Sequence, residues 1–249
     1  MLRELKVELR KLLFRWDFYI AGILLIGITS FFMYQLSAEG TFIKIESGQP
    51  IELSLNNIVG SIFSMSQHLG LIGIILAILC WHTLGKEVDH RSLTTYFLHS
   101  HSKWKLMLSK ISVMSIAISI LLSASVLAML AIYFIFQPEQ IHFSGTLSDY
   151  QLLLQNLLLI ILFAILFISL AAVIALRFGS IGVLLSTIGL SILSSIFREN
   201  RFIQDFLPLN LTDTMNEISF LESTSLLVVY IVVVLLILWI VTKRREIGV

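Results

Sequence analysis

Residues 111–136 read ISVMSIAISILLSASVLAMLAIYFIF, a run with no charged side chain anywhere in it. A helix rises about 1.5 Å per residue and the hydrocarbon core of a bilayer is about 30 Å thick, so about 20 apolar residues carry a chain across. Five further stretches have the same character: 17–36, 58–81, 150–176, 180–197 and 225–242. Of the 249 residues 57% are hydrophobic and 13% charged, about half the charge of an ordinary soluble domain. A soluble helix would keep one face wet with a charge every few positions, which these runs do not. The expectation is an all-α polytopic membrane protein, a single transmembrane domain over 1–249 with six transmembrane helices.

The fifth stretch is the shortest and is punctuated by Gly182, Ser186, Gly189, Ser191, Ser194 and Ser195. Small residues let a neighbouring helix approach closely, so this span is expected among protein rather than lipid. Ahead of the first span, residues 1–16 carry Arg3, Lys6, Arg10, Lys11 and Arg15, while Leu2, Leu5, Leu9, Leu12, Leu13 and Trp16 recur at steps of three and four. That spacing gathers the apolar residues on one stripe and predicts an amphipathic interfacial helix on the cytoplasmic membrane surface. No small-residue cleavage site follows, so the segment is expected to remain in the mature protein.

The net charge is +1, but the charges are unevenly placed. With six spans, 14 of the 17 lysines and arginines fall on one side, leaving Lys44, Arg198 and Arg201 opposite. Basic connections stay cytoplasmic, so both termini are expected inside. The outer connections are acidic, with Glu39, Glu46 and Glu52 in the first and Glu199, Asp205, Asp213, Glu217 and Glu222 in the third. The one cysteine, Cys80, lies in an apolar run and reads as a small buried hydrophobe.

Motifs for chemistry are missing. There is no GxxxxGK[ST] phosphate loop, no HExxH, no CxxC and no GxSxG. His90, His99 and His101 are spaced so that three ligands do not meet on one helical face, and no metal site is expected. His82 falls at a membrane boundary. His68, with Ser64, Ser66 and Gln67 in the second span, is an ionisable group at membrane depth, which marks either a substrate path or a hydrogen bond between helices. Ser64, Gln67 and His68, with Ser186 of the fifth span, are the substrate-path candidates. Ser112, Ser115, Ser119 and Ser123 share a face of the third span, a pattern that more often means close packing than a polar channel.

The connection from Gly85 to Lys110 is the longest basic one: GKEVDHRSLTTYFLHSHSKWKLMLSK. It resembles the matching loop of ATP-binding-cassette exporter permeases of the six-span, second class. In those an acidic residue precedes a small residue, Thr and an apolar residue, then come an apolar run, a break and a basic segment entering the third span. Glu87 matches the acidic position, Asp89, Ser92 and Leu93 fall where an acid, a Thr and an apolar residue are usual, and Lys103 and Lys110 where Arg and Lys are usual. Arg91 replaces the usual glycine, and the loop's proline is absent. Residues 197–224, with Phe206-Leu-Pro-Leu-Asn210, are similar to the short re-entrant segment such permeases carry before the last span.

The resemblance implies a permease subunit that is no enzyme and holds no cofactor, with ATP and Mg bound on a separate cytoplasmic ATPase. Glu87, Asp89, Arg91, Leu93 and Lys103 would couple to that ATPase. It further implies a second permease subunit, a copy or a relative, and a bacterial plasma membrane. The cargo class would be a peptide or lipid-like molecule moved outward, with antimicrobial peptide export or immunity as a variant. Nucleic acid is not an expected partner. A stand-alone secondary transporter or channel is the main alternative, although the spans offer little beyond His68 for ion coupling. An intramembrane enzyme would need paired carboxylates, a Ser/His pair or a histidine cluster at membrane depth.

Overall fold

The computed structural model describes residues 2–38, 53–68, 71–89, 103–136, 141–142, 146–196 and 220–247. Nearly all of them are helical. In chain order they form α1 (Leu2–Leu13), α2 (Trp16–Ala38), a two-residue β1 (Leu53–Ser54), α3 (Leu55–His68), α4 (Leu71–Cys80), a π-helical turn Trp81–Gly85, α5 (Lys86–Asp89), α6 (Lys103–Phe136), β2 (Ile141–His142), α7 (Leu147–Ile196) and α8 (Phe220–Ile247). Among the described residues, four helices are long and apolar enough to cross a membrane: Trp16–Gln35, Trp104–Phe136, Leu147–Ser186 and Phe220–Lys243. The chain is thus a membrane protein by the length and composition of its helices.

Six separate spans are not what the elements by themselves display. The second expected span, 58–81, is built from α3 and α4, with residues 69–70 outside the described residues, and continues into the π turn. The fourth and fifth, 150–176 and 180–197, lie within the single element α7. A straight 50-residue helix would be about 75 Å long, far more than a bilayer accommodates. The chain avoids this at Gly179, whose φ of 64° and ψ of −155° break the helix in a region open essentially to glycine.

The consequence shows three residues on. A Cβ placed on Gly182 would collide with the Phe178 side chain and lie 3.3 Å from Cγ2 of Ile174, eight residues earlier. In a straight helix that sequence separation spans about 12 Å, so α7 doubles back at Gly179 into two arms, 147–178 and 180–196. The other breaks are ordinary. Between α1 and α2 the Arg15 N–H donates to the Leu12 carbonyl at 3.1 Å and the Phe18 N–H to the Arg15 carbonyl at 3.2 Å, with Asp17 in the positive first turn of α2. At the start of α7 the Thr146 carbonyl receives the Asp149 and Tyr150 N–H groups, and its hydroxyl meets Ser148 Oγ at 2.8 Å.

Packing centres on α7. The helices α3, α4, α6, α8 and the π turn all pack on it, while α2 and α1 pack on α6. One cluster of buried side chains runs through the bundle, including Met33, Phe63, Leu76, Leu84, Met107, Leu122, Met129, Ile168 and Leu176. Cys80 sits inside it, as expected for a small hydrophobe. Ala164, Ala171, Ala172 and Ala175 are all buried on α7; small residues there let partner helices come close, which matters where lipid removes the hydrophobic drive between helices. A second cluster joins Leu159 and Leu166 of α7 to Leu227 and Val234 of α8. The opposite face of α8, with Val228, Val229, Val232, Leu236 and Ile240, is exposed and apolar, as a lipid-facing surface is.

Among the described residues the expectation of an all-α chain holds except for one detail. Leu53 and Ser54 pair in parallel with Ile141 and His142, joining the segment ahead of α3 to the one after α6. The expected re-entrant segment, 197–224, lies outside the described residues as far as 219, and α8 already begins at Phe220.

The N-terminal helix needs a correction of its own. It runs over Leu2–Leu13 rather than 1–16, and its leucine stripe is divided. Leu5, Leu9 and Leu12 pack into the main core, Leu12 being 4% exposed, while Leu13 is 45% exposed, Phe14 76% and Trp16 81%. Much of the stripe therefore holds α1 to the protein, and Leu13, Phe14 and Trp16 form the part left for a membrane.

Candidate functional site

At the end of the bundle where α1, the π turn and the start of α6 meet, charged side chains from distant parts of the sequence are drawn together. Lys110 lies about two turns beyond the start of α6 at Lys103. Its side chain is only 3% exposed, an expensive position for an ammonium unless it is paired. It is paired twice, Nζ donating to Glu8 Oε2 at 2.8 Å and to Glu87 Oε2 at 2.6 Å. Glu8 also accepts from Lys11 at 3.0 Å through its other oxygen. Burial pushes the Glu8 carboxyl up, but the Lys110 charge and hydrogen bond, with those of Lys11, outweigh it and hold the group below the usual carboxylate range.

This clamp joins three elements: α1 through Glu8, α5 through Glu87 and α6 through Lys110. A narrow cleft of about 20 Å³ beside it is lined by Glu8, Lys11, Arg15, Thr83, Glu87 and Lys110 with Leu12, Val113 and Met114, enough for about one water molecule among polar groups. Thr83 Oγ1 donates back to the Leu79 carbonyl at 2.6 Å and also lies 2.9 Å from Met114 Sδ, tying the π turn to α6.

A second group surrounds His82. The π turn inserts extra backbone into its coil, the Lys86 N–H donating to the Trp81 carbonyl. Lys86 Nζ thereby stands 2.9 Å from His82 Nε2 and 4.5 Å above the Trp81 ring. On the other ring nitrogen, His82 Nδ1 is 2.9 Å from Asp17 Oδ2, and Arg15 Nη2 lies 2.6 Å from Nδ1 while donating to the His82 carbonyl at 2.7 Å. With Nε2 accepting from Lys86 the ring is neutral, and its Nδ1 stands between the Asp17 carboxylate and the Arg15 guanidinium. His82 is accordingly held below the usual histidine range, by burial first and then by the Lys86 and Arg15 charges, against the pull of Asp17.

Gly85 closes the π turn against the kink of α7. A Cβ there would stand 2.7 Å from Ser180 Cα and 2.9 Å from its Cβ. The approach is backbone on backbone, so it locks the stem of the 86–102 connection to the fold-back of α7.

Of the residues singled out in the sequence, Glu87 enters this site as a partner of Lys110. Asp89 ends α5 and Lys103 begins α6, their side chains outside the described residues, as Arg91 and Leu93 are altogether. Ser64, Gln67 and His68 lie on α3, again without described side chains; Ser66 between them is buried in the bundle. Ser186 is on the returning arm of α7, where its hydroxyl donates to the Val183 carbonyl at 3.1 Å.

Ser112 and Ser119 donate to the carbonyls one turn back, Leu108 and Ser115. Ser115, Ser119 and Ser123 line an open, mainly apolar groove of about 590 Å³ with Ile116, Ile120, Ala124, Leu127 and Ile165. Among the described residues there is no group of three His, Cys, Asp or Glu side chains placed to hold a metal. Glu8, Arg15, His82 and Lys86 were missed by sequence reasoning as site residues, and Lys110 was assigned only to the basic segment. The Glu8–Lys11 spacing of three was the one local signal. No protein-family model, curated protein or solved structure matches the chain.

Proposed function

We propose that the chain is the membrane-spanning permease subunit of an ATP-binding-cassette exporter of the six-span class. In this reading the six crossings are α2, α3 with α4, α6, the two arms of α7, and α8, with both termini cytoplasmic in a bacterial plasma membrane. A separate ATPase supplies the work, a second permease subunit completes the path, and a peptide or lipid-like substrate moves outward.

The observation that supports this reading most is the double pairing of Lys110 with Glu8 and Glu87. A partner pushing on the 86–102 connection would act on α5, and the clamp would pass the push to α1 and α6 as one body. Gly85 against Ser180 would pass it to the kink of α7. Such coupling needs a contiguous, stiff set of contacts, which buried ion pairs and backbone-close packing provide. Arg91 and Leu93 would then supply the docking surface, with Glu87 holding the loop's stem.

Co-purification with a soluble ATPase tests the proposal. Arg91→Glu or Leu93→Asp should abolish the association while the protein still folds. Persistence of the complex in both variants would overturn the docking assignment. Vesicles containing this chain alone that accumulate or release a substrate would favour the stand-alone transporter.

A further inference from the structure

We propose that Arg15, His82 and Lys86 form a binding site for the phosphodiester headgroup of an anionic phospholipid. The site rests on the membrane character of the chain and needs no ATPase. Its place in the bilayer follows from its neighbours: Arg15 immediately precedes the apolar helix that opens at Trp16, and His82 and Lys86 stand in the turns that end the apolar stretch 72–85. The contacts between Arg15 and His82 bring the two helix ends to the same depth, the level at which headgroups lie and at which Trp and Tyr gather.

Charge makes the case for an anion. Arg15 and Lys86 converge on the two edges of one imidazole, and among the described residues Asp17 is the one carboxylate in contact with that ring; Glu8 and Glu87, which share a cleft with Arg15, are taken up by Lys110. Among the described residues Lys86 has no ion pair, only the His82 ring and the Trp81 face. A phosphodiester approaching from the lipid side would take hydrogen bonds from Lys86 Nζ and the Arg15 guanidinium, each stronger for being charge-assisted. The side chains are partly open for this, Arg15 at 28% exposure and His82 at 22%. Phe14 and Trp16, the chain neighbours of Arg15, and Tyr19 one turn further on present exposed rings, suited to the glycerol and upper acyl chain.

The imidazole gives the site a signature that a merely structural cluster lacks. Burial, Lys86 and Arg15 keep His82 neutral and Asp17 opposes them; among the described residues these are the charged groups that act on the ring. A bound phosphodiester cancels the excess positive charge and offers an acceptor to Nε2, so the ring takes up a proton. Proton and lipid then favour each other's binding by the same factor. A zwitterionic phosphatidylcholine has the same phosphodiester, but its choline is repelled by the excess charge.

The test is thermal unfolding of the full chain in neutral detergent, titrated with dioleoyl phosphatidylglycerol, dioleoyl phosphatidylcholine or inorganic phosphate, at pH about 5.5 and about 8, on either side of the ordinary histidine value. Phosphatidylglycerol should raise the melting temperature, at lower concentration in acid than in base. Lys86→Gln should weaken that effect about tenfold, the loss of one charge-assisted hydrogen bond, and Lys86→Arg should retain it. Equal protection by phosphatidylcholine, equal protection by inorganic phosphate, an effect independent of pH, or an unchanged response in Lys86→Gln would each overturn the proposal.

Discussion

Lys110 Nζ lies 2.8 Å from Glu8 Oε2, across 102 positions of sequence. The contact fastens the N-terminal helix to the start of α6, and the same ammonium reaches Glu87 at 2.6 Å. A cation buried to this degree is stabilised by its partners or not at all, and each carboxylate in turn loses its counter-charge if the lysine goes.

Lys110→Met should therefore destabilise the protein by about 3–5 kcal/mol, the usual result of breaking a buried ion pair from one side. The loss comes mainly from two half-buried carboxylates left facing each other, so Glu8→Gln together with Glu87→Gln in the Lys110→Met background should recover much of it. Thermal unfolding in detergent measures both. A triple variant no more stable than the single one would show that the lysine acts through packing instead.

Acid should attack the same clamp. The folded-state value of Glu8 lies below its unfolded one, so the folded form binds fewer protons and stability rises with pH across that interval. The contribution is complete above the usual glutamate value of about 4.3, and it drains away as pH falls through the lower folded value. Glu8→Gln should be less stable than the parent at neutral pH and converge with it in acid. Parallel stability curves across the whole range would contradict this.

How far the sequence reveals such features depends on what each leaves in local composition. The apolar runs are visible because a bilayer demands unbroken length, and 111–136 lies within α6 to the very last residue. For 150–197 the sequence suggests two spans parted at Arg177–Gly179, whereas the structure carries one element through that point with a kink at Gly179. Lys110 was not legible as a clamp. It follows Lys103 and Lys105, and the expectation of a cytoplasmic connection already accounts for all three; nothing near position 110 points to position 8. The leucine stripe of α1 was seen correctly as a stripe, but periodicity reports only that a face is apolar, and protein or lipid can cover it equally.

The joint between the π turn and α7 is expected to tolerate little. Gly179→Ala places a side chain at a φ of 64° and should cost about 1–3 kcal/mol in strain. Gly85→Ala drives a methyl into the Ser180 backbone and should cost a similar amount, about 1–3 kcal/mol. Ser180→Gly removes the Cβ at 2.9 Å but leaves the Cα at 2.7 Å, so it should restore only part of the Gly85→Ala loss. Full rescue would mean that side chains, not backbones, set the spacing. Melting temperatures of the three variants and the double variant decide it.

Adjacent leucines at the end of α1 separate its two roles. Leu12 is buried at 4% exposure, whereas Leu13 is 45% exposed. Leu12→Ala removes core contacts with the bundle and should destabilise by about 2–5 kcal/mol. Leu13→Ala removes apolar surface that the folded chain already presents outward, so its melting temperature in detergent should scarcely move. If the whole stripe of α1 were instead turned to lipid, both variants would melt with the parent in detergent, and both would differ from it only in bilayers. A large loss for Leu12→Ala alone is the outcome that the packing of α1 against α6 requires.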